Sequence, residues 1–298
     1  MPSMPAASLA KRLATGLAAG IALTMVSGIS ARADDATPAK PVAQNDLLDA
    51  TLWMQKSVEY KATAEGIYDL AKMRLDQALA DKSWTALPDM ESKDFGSEPV
   101  AIITDLDETA IDNNVYEASL VTRNTDFSGK EWDKYVKDED AKAVPGAVDF
   151  FKYAASKGVT IFYISNRTGD EEKATRENMQ KLGFPIDDKV DTFLFEHEKP
   201  DWKSAKGSRD EVVAKGYRVV LMLGDNMGDF TDKYDGTPDE RLAAYKADMG
   251  HWGHDWIMLP NPEYGSWESA SFGNDWKKPA DERRKEKIQR LDAWSPSK

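Results

Sequence analysis

Short apolar runs alternate with amphipathic stretches from about residue 100 to residue 260. Short apolar runs bounded by turn signals are typical of buried parallel strands, whereas apolar residues spaced three and four apart predict helices. This alternation predicts an α/β fold in which helices cover both faces of a parallel sheet. The predicted strands are 100–104, 159–164, 192–195, 218–223 and 256–259, and the helices between them are 145–157, 170–182 and 201–215.

The segments on either side of this region lack the alternation. Residues 46–79 carry apolar side chains at helical spacing, and we expect Gly66 to break or bend this segment into two helices. Residues 83–98 form a polar linker, 112–142 a polar excursion, and 280–292 a charged helical tail. The predicted organisation is a helical part at 46–98, a core at 99–260, and a C-terminal segment at 261–298 that packs with the helical part.

The first 33 residues have the pattern of a secretory signal peptide. Lys11 and Arg12 precede an apolar stretch of small residues at 13–29, and Ala31-Arg32-Ala33 forms a cleavage signal. An uncleaved membrane anchor is the alternative, but the glycines within the apolar stretch disfavour it. We therefore expect cleavage after residue 33, a leader at 34–45, no stable membrane insertion after processing, and a periplasmic or secreted product.

Charge and composition exclude several classes of function. The net charge is −13, and removing the signal peptide, which holds three basic residues and no acid, takes it to −16. Such an acidic surface disfavours nucleic-acid polymers and anionic membranes. The chain has no cysteine, so disulfides, thiolate metal sites and lipid attachment at an N-terminal cysteine are excluded, and three histidines fit a zinc site poorly.

The residues that directly follow the first predicted strand are Asp105-Leu106-Asp107-Glu108-Thr109. Ligands of open α/β folds bind at the carboxyl ends of parallel strands. Two carboxylates there can hold a hard divalent cation and supply an oxygen nucleophile. Asp-rich turns are also common for purely structural reasons, because Asp caps helices and tolerates turn geometry.

Later strand ends favour the chemical interpretation. Ser165-Asn166-Arg167-Thr168 follows the second strand, and Gly224-Asp225-Asn226-Met227-Gly228-Asp229 follows the last long one. Lys203 and Lys206 lie between these two segments along the chain, at the start of the helix predicted at 201–215. Phosphoryl transfer needs such a set, because it depends on positioning and on neutralising the phosphoryl oxygens. Mg²⁺ prefers oxygen ligands, and Asp105 and Asp225 suit it, with Asp229 in support.

These motifs resemble those of the haloacid-dehalogenase-like (HAD-like) superfamily, and most closely the class C acid phosphatases of the lipoprotein e (5'-nucleotidase) type. The similarity lies in residues 103–116 and 220–230 and in the helical stretch 52–60, and it covers about 46–270. It implies a Rossmann-like core beside a smaller helical domain. The chain departs from the family at Thr104, Ala110, Ile111 and Met227, which are conservative changes, and it lacks the lipid-bearing cysteine.

The resemblance implies roles for the polar residues. Asp105 would be the nucleophile, and Asp107 would be the general acid and base, with its backbone carbonyl on the metal. The metal would be one Mg²⁺ per chain, bound by Asp105, Asp107, Asp225 and Asp229. Phosphate would be bound by Ser165, Asn166 and a lysine. The spacing to Asp225 favours Lys206 for that lysine, and Lys203 is the alternative.

The implied activity is hydrolysis of small phosphomonoesters, either nucleoside monophosphates or aryl phosphates. Tyr264 and Tyr116 are the candidates for stacking against an aromatic leaving group, and packing is the alternative role for each. Family members often dimerise, so a homodimer is a candidate assembly. Two other functions stay open. One is a phosphoglycomutase-like transferase, which the export signal disfavours because the substrates of such an enzyme are cytosolic. The other is a non-catalytic binding protein, which the presence of both Asp105 and Asp107 disfavours.

Overall fold

The structure is a computed structural model that describes residues 45–90 and 93–295. All of these residues belong to one compact unit. The predicted signal peptide and all but the last residue of the predicted leader lie outside the described residues. No helix among the described residues is both long enough and apolar enough to span a membrane.

A five-stranded parallel sheet forms the centre of the molecule, in the order β5-β4-β1-β6-β7. β1 therefore lies in the middle, between β4 and β6. A separate pair of short antiparallel strands, β2 and β3, follows β1. The strands are β1 Val100–Thr104, β2 Ile111–Asp112, β3 Lys142–Ala143, β4 Thr160–Thr168, β5 Phe193–Glu196, β6 Arg218–Gly224 and β7 Trp256–Met258.

Ten α-helices connect and flank these strands in the described part of the chain. They are α1 Leu48–Lys56, α2 Val58–Ala80, α3 Asn114–Arg123, α4 Gly129–Asp138, α5 Ala147–Ser156, α6 Glu172–Leu182, α7 Gly207–Ala214, α8 Pro238–Ala247, α9 Ser266–Ser269 and α10 Ala280–Gln289.

Two apolar clusters cover the two faces of the sheet. Successive residues of β1 point to opposite sides, so Ile102 belongs to one cluster and Ile103 to the other. The first cluster contains the apolar faces of α2 and α5, including Phe150. The second contains Trp202, which precedes α7, and Val213 of α7. This arrangement confirms the predicted fold class, a parallel sheet with helices on both faces.

The N-terminal helical segment is divided at a different residue from the one predicted. The break lies at Ser57, between α1 and α2, whereas Gly66 lies inside α2. The Ser57 hydroxyl accepts a hydrogen bond of 3.0 Å from the N–H of Tyr60, which caps the new helix. No atom outside the helix lies within 4 Å of the position that a Cβ of Gly66 would take, so nothing forces a bend there.

Two helical predictions also differ from the structure. The polar excursion at 112–142 contains α3 and α4, between the strands of the β2–β3 pair. The helix predicted at 201–215 is shorter, because α7 begins only at Gly207. The strand ends lie within one residue of the prediction, except that β4 continues through Thr168, four residues beyond the predicted end, so that Ser165 and Asn166 belong to the strand. These ends position the polar residues at one edge of the sheet.

Candidate active site

Asp105 directly follows β1 and is fixed there by its backbone. Its N–H donates to the carbonyl of Leu223 in β6 at 2.9 Å. The buried ammonium of Lys206 donates to the Asp105 carboxylate and to the carbonyl of Ile164 at 2.7 Å. Lys206 Nζ also lies 2.7 Å from Oδ1 of Asp229. One ammonium thus bridges the carboxylates that follow β1 and β6.

The lysine at this position is Lys206, and Lys203 lies elsewhere. Lys206 immediately precedes α7 and is only 3% exposed. Lys203 is exposed, and its backbone carbonyl accepts a hydrogen bond of 2.8 Å from Arg209. Burial opposes the charge on Lys206, but the adjacent Asp105 and Asp229 carboxylates outweigh burial and raise the pKa of Lys206.

The loop after β6 folds back so that Asp229 returns to the end of the strand. The Asn226 N–H donates to Oδ2 of Asp229 at 2.8 Å, and the Asp229 N–H donates to the Asn226 carbonyl at 3.0 Å. A Cβ on Gly224 would lie 2.3 Å from the Cβ of Asp229. Glycine at 224 is therefore a steric requirement of this turn, which brings Asp229 next to Asp225.

Asp225 is oriented by two donors from other parts of the chain. Its Oδ1 accepts a hydrogen bond of 3.1 Å from the Thr109 hydroxyl, and its Oδ2 accepts one of 2.8 Å from the side-chain amide of Asn261. Asn261 is itself held, since its Oδ1 accepts the N–H of Glu263 at 2.9 Å. The loop after β7 therefore helps to position Asp225.

Carboxylate oxygens of Asp105, Asp225 and Asp229 lie within 4.8 Å of one another. Burial raises the pKa of Asp105 to about 7, against the opposing charge of Lys206, and Asp229 adds to the rise. Burial also raises the pKa of Asp225 well above its usual range, and Asp229 and Asp105 add to it. Three carboxylates around one ammonium leave negative charge that a divalent cation would offset, and an all-oxygen set suits a hard cation.

The Asp107 carboxylate is held by a ring of donors. Arg167 donates to its Oδ1 from Nη2 at 2.8 Å and from Nε at 3.0 Å. The Asn113 amide donates to the same oxygen at 2.9 Å, and the Ser165 hydroxyl donates to Oδ2 at 3.3 Å. The Arg167 side chain is 2% exposed and the Asp107 side chain 18%. Asp107 is thus the partly accessible member of a buried ion pair.

The predicted phosphate-binding pair, Ser165 and Asn166, lies at the end of β4. Ser165 is fully buried, whereas Asn166 is exposed. Arg209 fixes both residues, since it donates to the Ser165 carbonyl at 2.6 Å and to Oδ1 of Asn166 at 2.7 Å. The Asn166 amide donates to the Ser204 carbonyl at 3.0 Å. The segment is therefore rigid, and its exposed edge lies at Asn166.

This fold and this residue set occur together in known proteins. Residues 21–267 match the model of the HAD superfamily subfamily IIIB, described as acid phosphatase. The chain belongs to this family. The class C acid phosphatase of Bacillus anthracis has a similar structure, with a TM-score of 0.73 and 33% identity over 84% of this chain and 98% of that one. A second structure of that enzyme, with tungstate bound, gives a TM-score of 0.74.

Two plant proteins are similar to this chain at lower identity. Acid phosphatase 1 of Solanum lycopersicum is 24% identical over 65% of this chain and 68% of its own length. A stem 31 kDa glycoprotein of Glycine max is 27% identical over 44% of this chain and 52% of its own length. The chain thus spans only about half of the soybean relative. The family predicted from the sequence is confirmed, and its enzyme class is the phosphomonoesterases.

The two candidate substrate tyrosines of this acid phosphatase lie in different surroundings. Tyr264 is partly exposed on the loop after β7. Tyr116 is buried, and its ring centroid lies 5.1 Å from that of Trp132 and 5.4 Å from that of Tyr135. The Tyr116 hydroxyl donates to the Ser128 carbonyl at 3.2 Å. Tyr264 is therefore open to a ligand, whereas Tyr116 supports an aromatic cluster.

Sequence reasoning did not single out three residues of this site. Arg167 and Arg209 were visible in the strand-end and helix-start segments, but nothing in the sequence shows that their side chains turn back toward Asp107 and Asn166. Asn261 lies in the Pro-rich loop after β7. The sequence marks it only as an asparagine in a turn, where its side chain tends to hydrogen-bond the backbone two residues further on. Each acts on another site residue, which is why residue type and spacing alone do not reveal it.

Proposed function

We propose that this acid phosphatase is an exported, metal-dependent enzyme that hydrolyses phosphomonoesters through an aspartyl-phosphate at Asp105. One observation carries the proposal: the carboxylates of Asp105, Asp225 and Asp229 lie within 4.8 Å of one another, beside the buried ammonium of Lys206. A nucleophile, a set of cation ligands and a fixed positive charge are thus combined at one end of the sheet.

We propose Mg²⁺ as the cation, one per chain, held by the side chains of Asp105, Asp225 and Asp229 and by the backbone carbonyl of Asp107. The donors fit, because all are oxygens and because three carboxylates lie together; burial, with a smaller contribution from the neighbouring carboxylates, raises the pKa values of Asp105 and Asp225. When bound, the cation would neutralise charge on the phosphoryl oxygens.

The reaction would proceed in two displacements. An oxygen of Asp105 attacks phosphorus, the bond from phosphorus to the leaving oxygen breaks, and that oxygen takes a proton from Asp107. Asp107, now ionised, then accepts a proton from a water whose oxygen attacks phosphorus. The bond between the Asp105 oxygen and phosphorus breaks, which releases phosphate and restores the Asp105 carboxylate. Arg167 would orient Asp107, and Lys206 would offset the negative charge near Asp105.

Ser165 and Asn166 are the proposed contacts for the phosphoryl oxygens, together with Lys206. The Ser165 hydroxyl is buried and donates to Asp107, so a phosphoryl oxygen would have to compete with Asp107 for this hydrogen bond. Asn166 is exposed and is therefore accessible to the substrate. The related Bacillus anthracis enzyme binds tungstate, an oxyanion shaped like phosphate, which supports an oxyanion site in this fold.

The proposed substrates are nucleoside monophosphates and aryl phosphates. Tyr264 is partly exposed and would stack on an aromatic leaving group, and stacking on a ring contributes roughly 1–3 kcal/mol per base. Tyr116 would act indirectly, as part of the aromatic cluster behind the site. Such stacking biases the choice of substrate without restricting it to one compound.

Export, domain organisation and assembly are further parts of the proposal. Residues 1–33 would be removed as a signal peptide, which places the enzyme in the periplasm or outside the cell. The domain boundaries proposed above, at 46–98, 99–260 and 261–298, follow from the sequence, and a homodimer follows from the resemblance. Mass spectrometry of the exported protein tests the cleavage after Ala33.

Phosphate release from p-nitrophenyl phosphate and from a panel of mononucleotides tests the activity. We expect turnover with Mg²⁺, loss of turnover in EDTA, and recovery when Mg²⁺ is restored. Asp105→Asn should abolish turnover while the protein stays folded. Hydrolysis that continues in EDTA, or in Asp105→Asn after deamidation has been excluded by mass spectrometry, would overturn the proposed mechanism.

A further inference from the structure

The side chain of Asn113 is fully buried against the proposed general acid, and each of its polar atoms is used. Its amide donates to Oδ1 of Asp107 at 2.9 Å and to Oε2 of Glu108 at 3.4 Å. Its side-chain carbonyl accepts from Nη2 of Arg167 and from the hydroxyl of Tyr135, each at 3.2 Å. A guanidinium can only donate, so the Asn113 oxygen must face Arg167 and its NH₂ group must face the carboxyl groups. The orientation of this amide is therefore unique.

The backbone of Asn113 is tied to the same turn. Its N–H donates to Oε1 of Glu108 at 2.8 Å, and its carbonyl accepts the N–H of Tyr116 at 2.8 Å in the first turn of α3. Glu108 is fully buried and has a left-handed φ of 55°, which is uncommon for any residue other than glycine. Conformations of this kind persist where the surrounding structure holds them, and they cluster at functional sites. Asn113 thus holds the turn that carries Asp107 through its backbone and its side chain together.

Tyr135 connects this hydrogen-bond network to α4. Its ring centroid lies 5.4 Å from that of Tyr116 and 5.5 Å from that of Trp132, so the ring is held by its aromatic neighbours. The Trp132 ring also lies over the guanidinium of Arg167, with 5.4 Å from its centroid to Cζ. Side chains of α4 therefore contact both residues that donate to Oδ1 of Asp107.

The two carboxyl oxygens of Asp107 have different surroundings. Oδ1 accepts three N–H groups, from Nη2 and Nε of Arg167 at 2.8 and 3.0 Å and from Asn113 at 2.9 Å. Oδ2 has only longer contacts, at 3.3 Å to the Ser165 hydroxyl and 3.3 Å to Nε of Arg167. A proton on Oδ1 would face nitrogens that cannot accept it, whereas a proton on Oδ2 faces a hydroxyl that rotates to suit. A protonated Asp107 therefore carries its proton on Oδ2.

We propose that Asn113 and Tyr135 are positioning residues that hold Asp107 so that it delivers its proton to the leaving oxygen from Oδ2. The inference rests on the proposed function, because it concerns the acid step of that reaction. When the bond from phosphorus to the leaving oxygen breaks, the electron pair stays with that oxygen, which takes the proton from Oδ2. The ionised Oδ2 then accepts the hydrogen bond from Ser165 that the structure shows.

Two aryl esters of different leaving ability test the role of Asn113. p-Nitrophenolate leaves as a stable anion, whereas phenolate depends more on receiving a proton. Asn113→Ala should lower kcat/KM by about 100-fold for phenyl phosphate and by no more than about tenfold for p-nitrophenyl phosphate. Because kcat/KM covers only the steps up to departure of the leaving group, the later attack by water does not enter the comparison. The ratio of the two values, phenyl over p-nitrophenyl, should therefore fall by about tenfold.

Each variant has a matched control elsewhere in the chain. Asn178→Ala also removes a buried asparagine, whose amide donates to the Ala141 carbonyl at 3.1 Å, and it should leave the ratio unchanged. Tyr135→Phe removes a single hydroxyl and should lower the ratio by about threefold, as for one hydrogen bond between neutral groups. Tyr153→Phe removes a hydroxyl that donates to Asp76 at 2.6 Å and should keep the wild-type ratio.

A purely structural defect lowers kcat/KM for both esters in proportion, so an unchanged ratio in Asn113→Ala would refute the positioning role. If Asn113→Ala does not fold, the ratio in Tyr135→Phe decides in the same way. When the wild type hydrolyses both esters and Asp105→Asn hydrolyses neither, an unchanged ratio refutes only the positioning role. A wild type that hydrolyses neither ester refutes the proposed function and the positioning role with it.

Discussion

The side-chain amide of Asn261 donates a hydrogen bond of 2.8 Å to Oδ2 of Asp225. A residue after β7 thus orients a carboxylate that follows β6. A hydrogen bond of this kind orients a metal-binding carboxylate so that its lone pairs point toward the metal. Loss of such a bond commonly lowers metal affinity 10- to 100-fold. The loop after β7 is therefore part of the proposed metal site, although none of its own atoms is proposed as a ligand.

Asn261→Ala should raise the Mg²⁺ concentration needed for half-maximal activity by at least about tenfold, because Asp225 loses one of its two orienting donors. The measurement is a Mg²⁺ titration of p-nitrophenyl phosphate hydrolysis. Asn124→Gly is a suitable control, since Asn124 is exposed, adopts a left-handed φ of 50°, and contacts no aspartate of the site. An unchanged titration curve for Asn261→Ala would contradict the assigned role.

Gly224→Ala should reduce kcat by about 100-fold, because a displacement near 1 Å in a catalytic group costs on that order. The added Cβ would lie 2.3 Å from the Cβ of Asp229, so the turn that carries Asp229 must shift. Gly216→Ala is the control, since no atom lies within 4 Å of that position. Steady-state kinetics of both variants is the measurement, and comparable activity would show that the turn accommodates the methyl group.

Removing the guanidinium of Arg167 should destabilise the protein. Arg167→Met leaves the Asp107 carboxylate without its ion-pair partner, and breaking a buried pair in this way costs about 3–5 kcal/mol. Arg176→Met, which breaks the more exposed pairs with Glu172 and Asp191, should cost less than about 1 kcal/mol. Urea unfolding at neutral pH measures both values, and similar losses would argue against a special contribution of Arg167.

Stability should fall between weakly acidic and neutral pH because of Glu263. This side chain is 2% exposed, and burial raises its pKa from 4.5 to about 7. The raised pKa means that the neutral form is favoured in the folded state. Its contribution is therefore fully present below pH 4.5 and is lost as the pH rises through about 7, a change of about 3 kcal/mol.

Glu263→Gln tests this pH dependence, because the amide stays neutral. The free energy of unfolding, measured in urea from pH 4.5 to 8.5, should decline less steeply with pH in the variant than in the wild type. Glu65→Gln, which replaces an exposed glutamate of α2, should keep the wild-type slope. Parallel curves for the wild type and Glu263→Gln would contradict the raised pKa of Glu263 in the folded protein.

Most strand ends were predictable from the sequence, although β4 runs four residues past its predicted end. The apolar run at 100–104 coincides with β1, and the convergence of Asp105, Asp225 and Asp229 follows from placing β1 beside β6. Glycine is a weak helix former, so the sequence suggested a break at Gly66. The break lies instead at Ser57, where the side-chain hydroxyl caps the start of α2.

Long side chains were the least predictable feature. Arg167 leaves β4 and reaches Asp107, and Arg209 leaves α7 and reaches Asn166, so each contact depends on tertiary packing that no local pattern encodes. The helices α3 and α4 were read as a polar excursion because much of their surface is charged. The aromatic contact between Tyr116 of α3 and Trp132 of α4 forms only when the two helices meet.

The strand order also determines when the chain acquires its chemistry. β1 and β6 are neighbours in the sheet, yet α3 to α7 and the strands β2 to β5 come between them along the chain. During synthesis, Asp105 therefore emerges from the ribosome long before Asp225, Asp229 and Lys206 have joined it. Under the proposed mechanism, a nascent chain that lacks β6 would therefore be unable to hydrolyse phosphate esters, and the site would become complete only with one of the last strands to be translated.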